Sequence, residues 1–339
     1  MQKFAAVKKE LIPNSAARRV FGLIGSEMGL IEAEFERQVS SNIQVINYLG
    51  DYLRASGGKR IRPALLVLAH HAIDKGERPE SVIRMATVME MLHTATLVHD
   101  DIIDNADIRR NRPSVNARFG NQTAVLMGDW LYMSAFETTT LERSLDIIDI
   151  LTRLTRKMTE GELIQLTRIG RLDISESEYF DILKRKTAYL FSSCCEVGAI
   201  LGGANDEERD ALRAYGMDLG IAFQLSDDIL DLTADSKDLG KAAGSDLLEG
   251  KLTLPLIYLL EKRPELTPKL EEIMFDGEYR TISREELKSE LVSLGLIDSI
   301  KQRASSHAET ARKSLAVLGD SEYRSSLEEV LSFVTDRTT

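Results

Sequence analysis

Two short acidic runs constrain this chain more than any other feature. Asp100-Asp101-Ile102-Ile103-Asp104 and Asp227-Asp228-Ile229-Leu230-Asp231 share the spacing DDxxD, and each closes a strongly apolar segment of helical periodicity. On a helix the first and last aspartates of such a set lie one turn apart on the same face. Like charges there repel, and aspartate is a mediocre helix former. Nothing about folding asks for three carboxylates at the end of a core helix, so a cation must compensate. A lone cluster reads equally well as a solvated helix end; two copies argue for a site. Magnesium suits hard oxygens, takes one or two carboxylates per ion, and completes its shell with water and substrate phosphate. Calcium fits less well, because no EF-hand loop is present.

The rest of the chain is predicted to be helical as well. Only 7 prolines interrupt 339 residues. Stretches such as 80–99 and 140–168 carry apolar residues at helical spacing without turn clusters. Residues 1–40 read as an amphipathic helical lead-in with a turn near Pro13–Ser15. Helices are predicted at Arg60–Ala72, entered through Pro63, and from Pro79 to about Asp104. Further helices are predicted at about 118–136, 140–168, 176–202, 207–232, 283–294, 297–317 and 321–335, with another helix or a bend from Pro255. Residues 105–116 read as a basic loop, and 233–250 as a loop carrying Gly240-Lys241 and Gly250-Lys251. No period-2 strand pattern or internal repeat stands out, and no Pro-, Gly- or Ser-rich linker divides the chain. One helical domain spanning 1–339 is the simplest expectation. Cys194 and Cys195 are adjacent, which disfavours a bond between them; they read as two buried small hydrophobes.

The formal charge of −11 makes nucleic acid a poor partner. No apolar run is long enough to span a membrane, and Met1–Gly22 lacks the apolar core of a secretory signal, so a cytoplasmic location is expected. Against this acidic background, basic residues cluster beside the acidic motifs. Gly57-Gly58-Lys59-Arg60-Ile61-Arg62-Pro63 sets three cations beside two glycines just ahead of a helix, a combination suited to an anion. Asp107-Ile108-Arg109-Arg110-Asn111-Arg112-Pro113 follows the first acidic run. His93 lies two helical turns before Asp100 on one face. Gln224 precedes Asp227 on its helix, and Lys186-Thr187 interrupts an otherwise apolar one. Each of these also has a bland reading as a surface ion pair, a satisfied core histidine or a solvated lysine; together they favour a diphosphate site.

Taken together these residues resemble the trans-isoprenyl diphosphate synthase family, over about residues 40–335. Gly57 to Pro63 matches its GGKRxRP segment, and Glu90 to Asp104 with Arg109-Arg110 its first aspartate-rich motif. Gly161-Glu162-Leu163-Ile164-Gln165 looks like GExxQ, and Lys186-Thr187-Ala188 like KT(A/G). Phe223-Gln224 with Asp227, Asp228 and Asp231 matches the second aspartate-rich motif. Gly240-Lys241, Gly244, Asp246 and Lys251 follow in order. The resemblance implies an all-α bundle around a central hydrophobic cavity, usually homodimeric. It implies Asp100, Asp104 and Asp227 as main magnesium ligands, with Asp101, Asp228 and Asp231 in direct or water-mediated support. About three ions would accompany bound diphosphate. Arg109, Lys186, Thr187, Gln224, Lys241 and Lys251 are implied as contacts of an allylic diphosphate. Lys59, Arg62, His93 and Arg110 are implied as the site of isopentenyl diphosphate. The catalytic set implied is Asp100, Asp104, Asp227, Arg109, Lys186 and Lys241.

The reaction so implied ionises the allylic diphosphate, condenses the cation with isopentenyl diphosphate and eliminates a proton. A terpene cyclase is the nearest rival, but it has no use for the Gly57–Arg62 segment, and its second metal motif usually mixes Asn, Ser or Thr with Glu. A non-catalytic partner subunit should have lost aspartates, and all six stand here. Product length is predicted from the helix leading to Asp100. Thr96, Leu92 and Met89 share its face and Ala95 lies at the margin. Short-chain members tend to carry an aromatic ring where this chain has Ala95 and Thr96, so a medium- or long-chain product is expected, with a short-chain synthase as the alternative.

Overall fold

Helix starts follow local chemistry that the sequence carries. Ser144, Ser175, Asn205 and Ser283 each accept the backbone N–H three residues on, and the last three form capping boxes with Glu178, Glu208 and Glu286. The computed structural model describes residues 15–55, 57–73, 75, 79–110, 112–234 and 243–335. Its helices are α1 (Ser15–Leu23), α2 (Gly25–Gln38), α3 (Gln44–Ala55), α4 (Ile61–Ile73) and α5 (Pro79–Ile103). After a two-residue antiparallel pair, β1 (Ile108–Arg109) with β2 (Arg112–Pro113), come α6 (Val115–Phe119), α7 (Asn121–Thr140) and α8 (Leu145–Leu166). Then follow α9 (Glu176–Leu183), a π-helical turn at Lys184–Ala188, α10 (Tyr189–Leu201) and α11 (Asp206–Thr233). The C-terminal part holds α12 (Ser245–Leu248), α13 (Leu254–Lys262), α14 (Thr267–Asp276), α15 (Arg284–Ser293), α16 (Leu296–Ser314) and α17 (Glu322–Thr335).

The main helices neighbour one another in the order α7, α5, α4, α10, α11, α16. Helix α10 is buried on nearly every side, including Cys194 and Cys195, which are both free. It can sit so deep because its partners meet it at glycines. A Cβ on Gly216 of α11 would lie 2.6 Å from the carbonyl oxygen of Phe191 on α10, and where α4 packs on Gly198 of α10 itself a Cβ would lie 2.9 Å from Ala69 Cβ. Buried apolar side chains form two clusters that share α11. Leu212, Tyr215 and Leu219 join the one built on α4, α5 and α10, whereas Leu225, Ile229 and Leu232 join the one built on α13 to α16.

The predicted all-α class is what the fold shows. Several details differ from the sequence reading. The helix expected at 118–136 is two, because Gly120 turns at φ +84° between α6 and α7. The helix expected at 176–202 contains the π-helical turn. Helices α3 and α14 went unpredicted, and the basic loop contains the short β pair. Residues 1–14 of the expected lead-in, and 235–242 of the loop carrying Lys241, lie outside the described residues.

Candidate active site

The acidic ends of α5 and α11 meet at one cavity of about 280 Å³. Asp100 lines it from α5, Gln224 and Asp228 from α11, Lys186 and Thr187 from the π-helical turn, and Lys251 from the segment before α13. Leu97, Met158, Leu183 and Leu190 form an apolar wall on the same space. The cavity is therefore lined by both charged and hydrocarbon side chains.

In the first acidic run, burial pushes Asp100 up to about 7; Lys186 opposes the shift, while Glu162 and Asp104 add to it. Asp101 is buried and bound by Arg109, whose Nε donates to its Oδ1 at 2.7 Å. Asp104 accepts a hydrogen bond from Lys251 Nζ at 2.9 Å, and the same ammonium reaches Glu249 at 2.7 Å. Burial works against the charge on Lys251, but Glu249 and Asp104 outweigh it and hold the ammonium firmly protonated.

The second run is wired differently. Asp228 is 2% exposed. Tyr179 Oη donates to its Oδ2 at 2.6 Å and Gln224 Nε2 to its Oδ1 at 2.9 Å. Burial, with Asp246 and Asp227 nearby, still pushes this carboxyl up to about 8 against those two donors. Asp231 is buried and takes the Ser245 hydroxyl and the Asp246 backbone N–H, both at 3.3 Å. Crowded, desolvated carboxylates beside a cavity are what a divalent cation would relieve, and all-oxygen donors fit magnesium. Among the described residues no three carboxylate, imidazole or thiol groups converge closely enough to hold an ion alone. An ion here would share its shell with water or phosphate oxygens, as magnesium commonly does.

The π-helical turn explains why Lys186 and Thr187 face the cavity. A π turn admits one extra residue and re-aims the side chains it carries. Gly161 of α8 makes room for it, since a Cβ there would lie 2.6 Å from Arg185 Cβ. Lys186 Nζ pairs with Glu162 Oε2 at 2.5 Å, and Thr187 donates to Gln224 Oε1 at 2.8 Å.

On the other side of the cavity, Arg62 Nη1 meets His93 Nε2 at 3.0 Å, and its guanidinium lies 5.0 Å above the Phe191 ring. Burial and four surrounding arginines, Arg62 first, hold the His93 imidazole well below its ordinary pKa. A guanidinium can only donate, so Nε2 of this neutral ring accepts and its proton sits on Nδ1. Arg110, at φ +53°, donates to the carbonyl oxygen of Gly57, and a Cβ on Gly58 would lie 2.8 Å from its Nη1. Lys59 is exposed at the entrance to α4. Arg60 instead bridges Glu32 and Glu90, tying α2 to α5.

Of the side chains proposed to set product length, Thr96 lines the cavity. Ala95, Leu92 and Met89 are fully buried and stand outside its lining; Leu97 takes their place beside Thr96. Lys241 lies outside the described residues. Sequence reasoning assigned no role to Tyr179, Glu162 or Gln165. The last two fell within the GExxQ match, but nothing local marked Tyr179, whose partner stands 49 positions away.

The chain matches the polyprenyl synthetase family model over residues 43–291. It is 38% identical over 306 residues to the octaprenyl diphosphate synthase of Escherichia coli, covering 90% of this chain and 94% of that one. It is also 38% identical to the geranylgeranyl diphosphate synthase of Methanosarcina mazei, over 84% of this chain and 88% of that one. Its fold superposes on the crystal structure of a polyprenyl synthase from Caulobacter crescentus, complexed with calcium and isoprenyl diphosphate. That match has a TM-score of 0.90 and 32% identity, over 96% of this chain and 100% of the other. Further matches are named for heptaprenyl, nonaprenyl and decaprenyl diphosphate synthases.

Proposed function

The chain belongs to the polyprenyl synthetase family, and from that premise we propose how its own residues carry the chemistry. It is a prenyltransferase, an all-trans polyprenyl diphosphate synthase of the medium- to long-chain type. The observation that carries the residue assignments is a single cavity that joins two acidic helix ends and a cationic rim to a hydrocarbon wall.

In this reading the C–O bond of an allylic diphosphate breaks, leaving an allylic cation and diphosphate. Lys186, Lys251 and Arg109, with Lys241, neutralise charge growing on the leaving group. Thr187 and Gln224 orient it. Asp100, Asp104 and Asp227 would hold magnesium, supported by Asp101, Asp228 and Asp231, and the bound metal supplies Lewis-acid stabilisation of that diphosphate. Lys59, Arg62, His93 and Arg110 hold isopentenyl diphosphate so that its double bond attacks the cation. A proton then leaves, and the released diphosphate is positioned to accept it. Leu97, Met158, Leu183 and Leu190 keep water from trapping the cation as an alcohol. Product length begins to be set at Thr96, with Ala95, Leu92 and Met89 behind it.

The family expectation of a homodimer fits α7, where Leu126 and Met133 are 68% and 63% exposed one above the other on a single face. No helix among the described residues is long and apolar enough to cross a membrane; the cytoplasmic location belongs to the same reading. The functional test is incorporation of labelled isopentenyl diphosphate into an allylic primer. Incorporation should require magnesium and stop on chelation. Full turnover in excess chelator contradicts the assignment of the acidic clusters.

A further inference from the structure

Tyr179 touches the site, yet the reaction as written has no use for it. Its ring is buried against Phe180 in the cluster around α13 to α16, with centroids 5.3 Å apart. Its hydroxyl ends a chain of hydrogen bonds. Thr187 donates to Gln224 Oε1 at 2.8 Å, Gln224 Nε2 donates to Asp228 Oδ1 at 2.9 Å, and Tyr179 donates to Asp228 Oδ2 at 2.6 Å. The Gln224 amide turns its NH₂ toward Asp228 and its carbonyl toward Thr187, so with Asp228 ionised every donor in the chain meets an acceptor. Three elements, α9, the π-helical turn and α11, are locked to one another through these four side chains. Both Asp228 oxygens are already taken by protein donors.

Resting on the polyprenyl synthase reading above, we propose that Tyr179 is a positioning residue for the second acidic motif. By donating to Asp228 it fixes the orientation of that carboxylate, which supports the magnesium site from beside Asp227, and through Gln224 it aims Thr187 and Gln224 at the allylic diphosphate. Without the tyrosine hydroxyl, one oxygen of a nearly inaccessible carboxylate loses its donor, a costly state. The carboxylate would turn toward the cavity or pull Gln224 with it, and either movement disorders the diphosphate end. Networks of this kind fail as units. The isopentenyl side, held by Arg62 and His93, is not wired to this chain.

Tyr179→Phe keeps the buried ring and removes only the hydroxyl. The variant should fold like the wild type by circular dichroism. Calorimetric binding of inorganic diphosphate in the presence of magnesium should weaken about tenfold, in line with loss of one hydrogen bond to a charged acceptor. The half-saturating magnesium concentration and KM for the allylic primer should rise by about the same factor, while KM for isopentenyl diphosphate stays within about twofold. Thr187→Val combined with Tyr179→Phe should lose less than the sum of the two single losses, because both act through one chain; additive losses contradict the wiring. A folded Tyr179→Phe with unchanged diphosphate binding and magnesium midpoint overturns the proposal, whatever happens to kcat. Should Tyr179→Phe fail to fold, p-aminophenylalanine placed at position 179 decides the matter: it keeps the ring and a donor and should hold diphosphate binding within about twofold of wild type, whereas p-methylphenylalanine, which has no donor, should weaken it about tenfold, and equal binding by the two overturns the proposal. A wild-type protein that extends no primer contradicts the function reading itself, and this proposal with it.

Discussion

Asp100 and Asp228 are both carboxyls pushed up by burial, and their environments differ in kind. Asp228 is satisfied by two protein donors, whereas Asp100 lines the cavity among Lys186, Glu162 and Asp104. Asp100→Ala or Asp227→Ala should lower kcat by at least about a thousandfold, a loss of the size seen when one preorganised charge-stabilising group is removed. Melting temperature should stay near that of the wild type, which scanning calorimetry alongside the assay will check. The raised pKa of Asp100 also predicts a pH effect. A carboxyl that titrates at about 7 in the fold and near its ordinary value when unfolded stabilises the fold at low pH. That contribution is lost as pH rises toward 7. In chelator, therefore, Asp100→Asn should gain thermal stability relative to the wild type between pH 5 and pH 8; a constant difference contradicts the burial argument. On the other side of the cavity, Arg62→Ala or His93→Ala should raise KM for isopentenyl diphosphate about tenfold or more and leave allylic KM nearly unchanged. Steady-state kinetics with each substrate varied in turn will decide.

At the scale of elements, the acidic helix ends were legible because their spacing is local: carboxylates one turn apart are written side by side in the chain. The pairing of α5 with α11 across one cavity was implied by the repeat of the motif, not by periodicity. The π-helical turn was not legible. Lys186 in an apolar helix raised a question, but the answer rests on Gly161 and Gly220, which lie far away in sequence and make the room. Tyr179 was missed for the same reason. Helix α5 shows the limit of a face drawn on a helical wheel. Thr96 does reach the cavity, but Ala95 is sealed among neighbouring helices. Thr96→Phe should therefore shorten the product with little loss of stability. Ala95→Phe should shorten it only at a cost of ~1–3 kcal/mol, the usual penalty for overpacking a core. Product sizing together with denaturant unfolding separates the two; equal product lengths for wild type and Thr96→Phe contradict this placement of the wall.

For the whole molecule, the cavity accounts for only part of the task. Thr96 and Leu97 face it from α5, while Ala95, Leu92 and Met89 of the same helix are fully buried outside its lining, so a growing prenyl chain that follows α5 displaces hydrocarbon side chains as it lengthens. In the proposed homodimer the exposed stripe on α7 forms the contact. Leu126→Asp with Met133→Asp should convert a dimer to a monomer in light scattering, and an unchanged mass contradicts that surface. The most direct measurement combines the purified protein with magnesium, labelled isopentenyl diphosphate and a farnesyl primer, and sizes the products by mass spectrometry. Chains longer than geranylgeranyl diphosphate, lost in Asp100→Ala and Asp227→Ala, are what the two acidic helix ends and the hydrocarbon wall predict. Arrest at geranylgeranyl diphosphate, or elongation that survives loss of either aspartate, would contradict it.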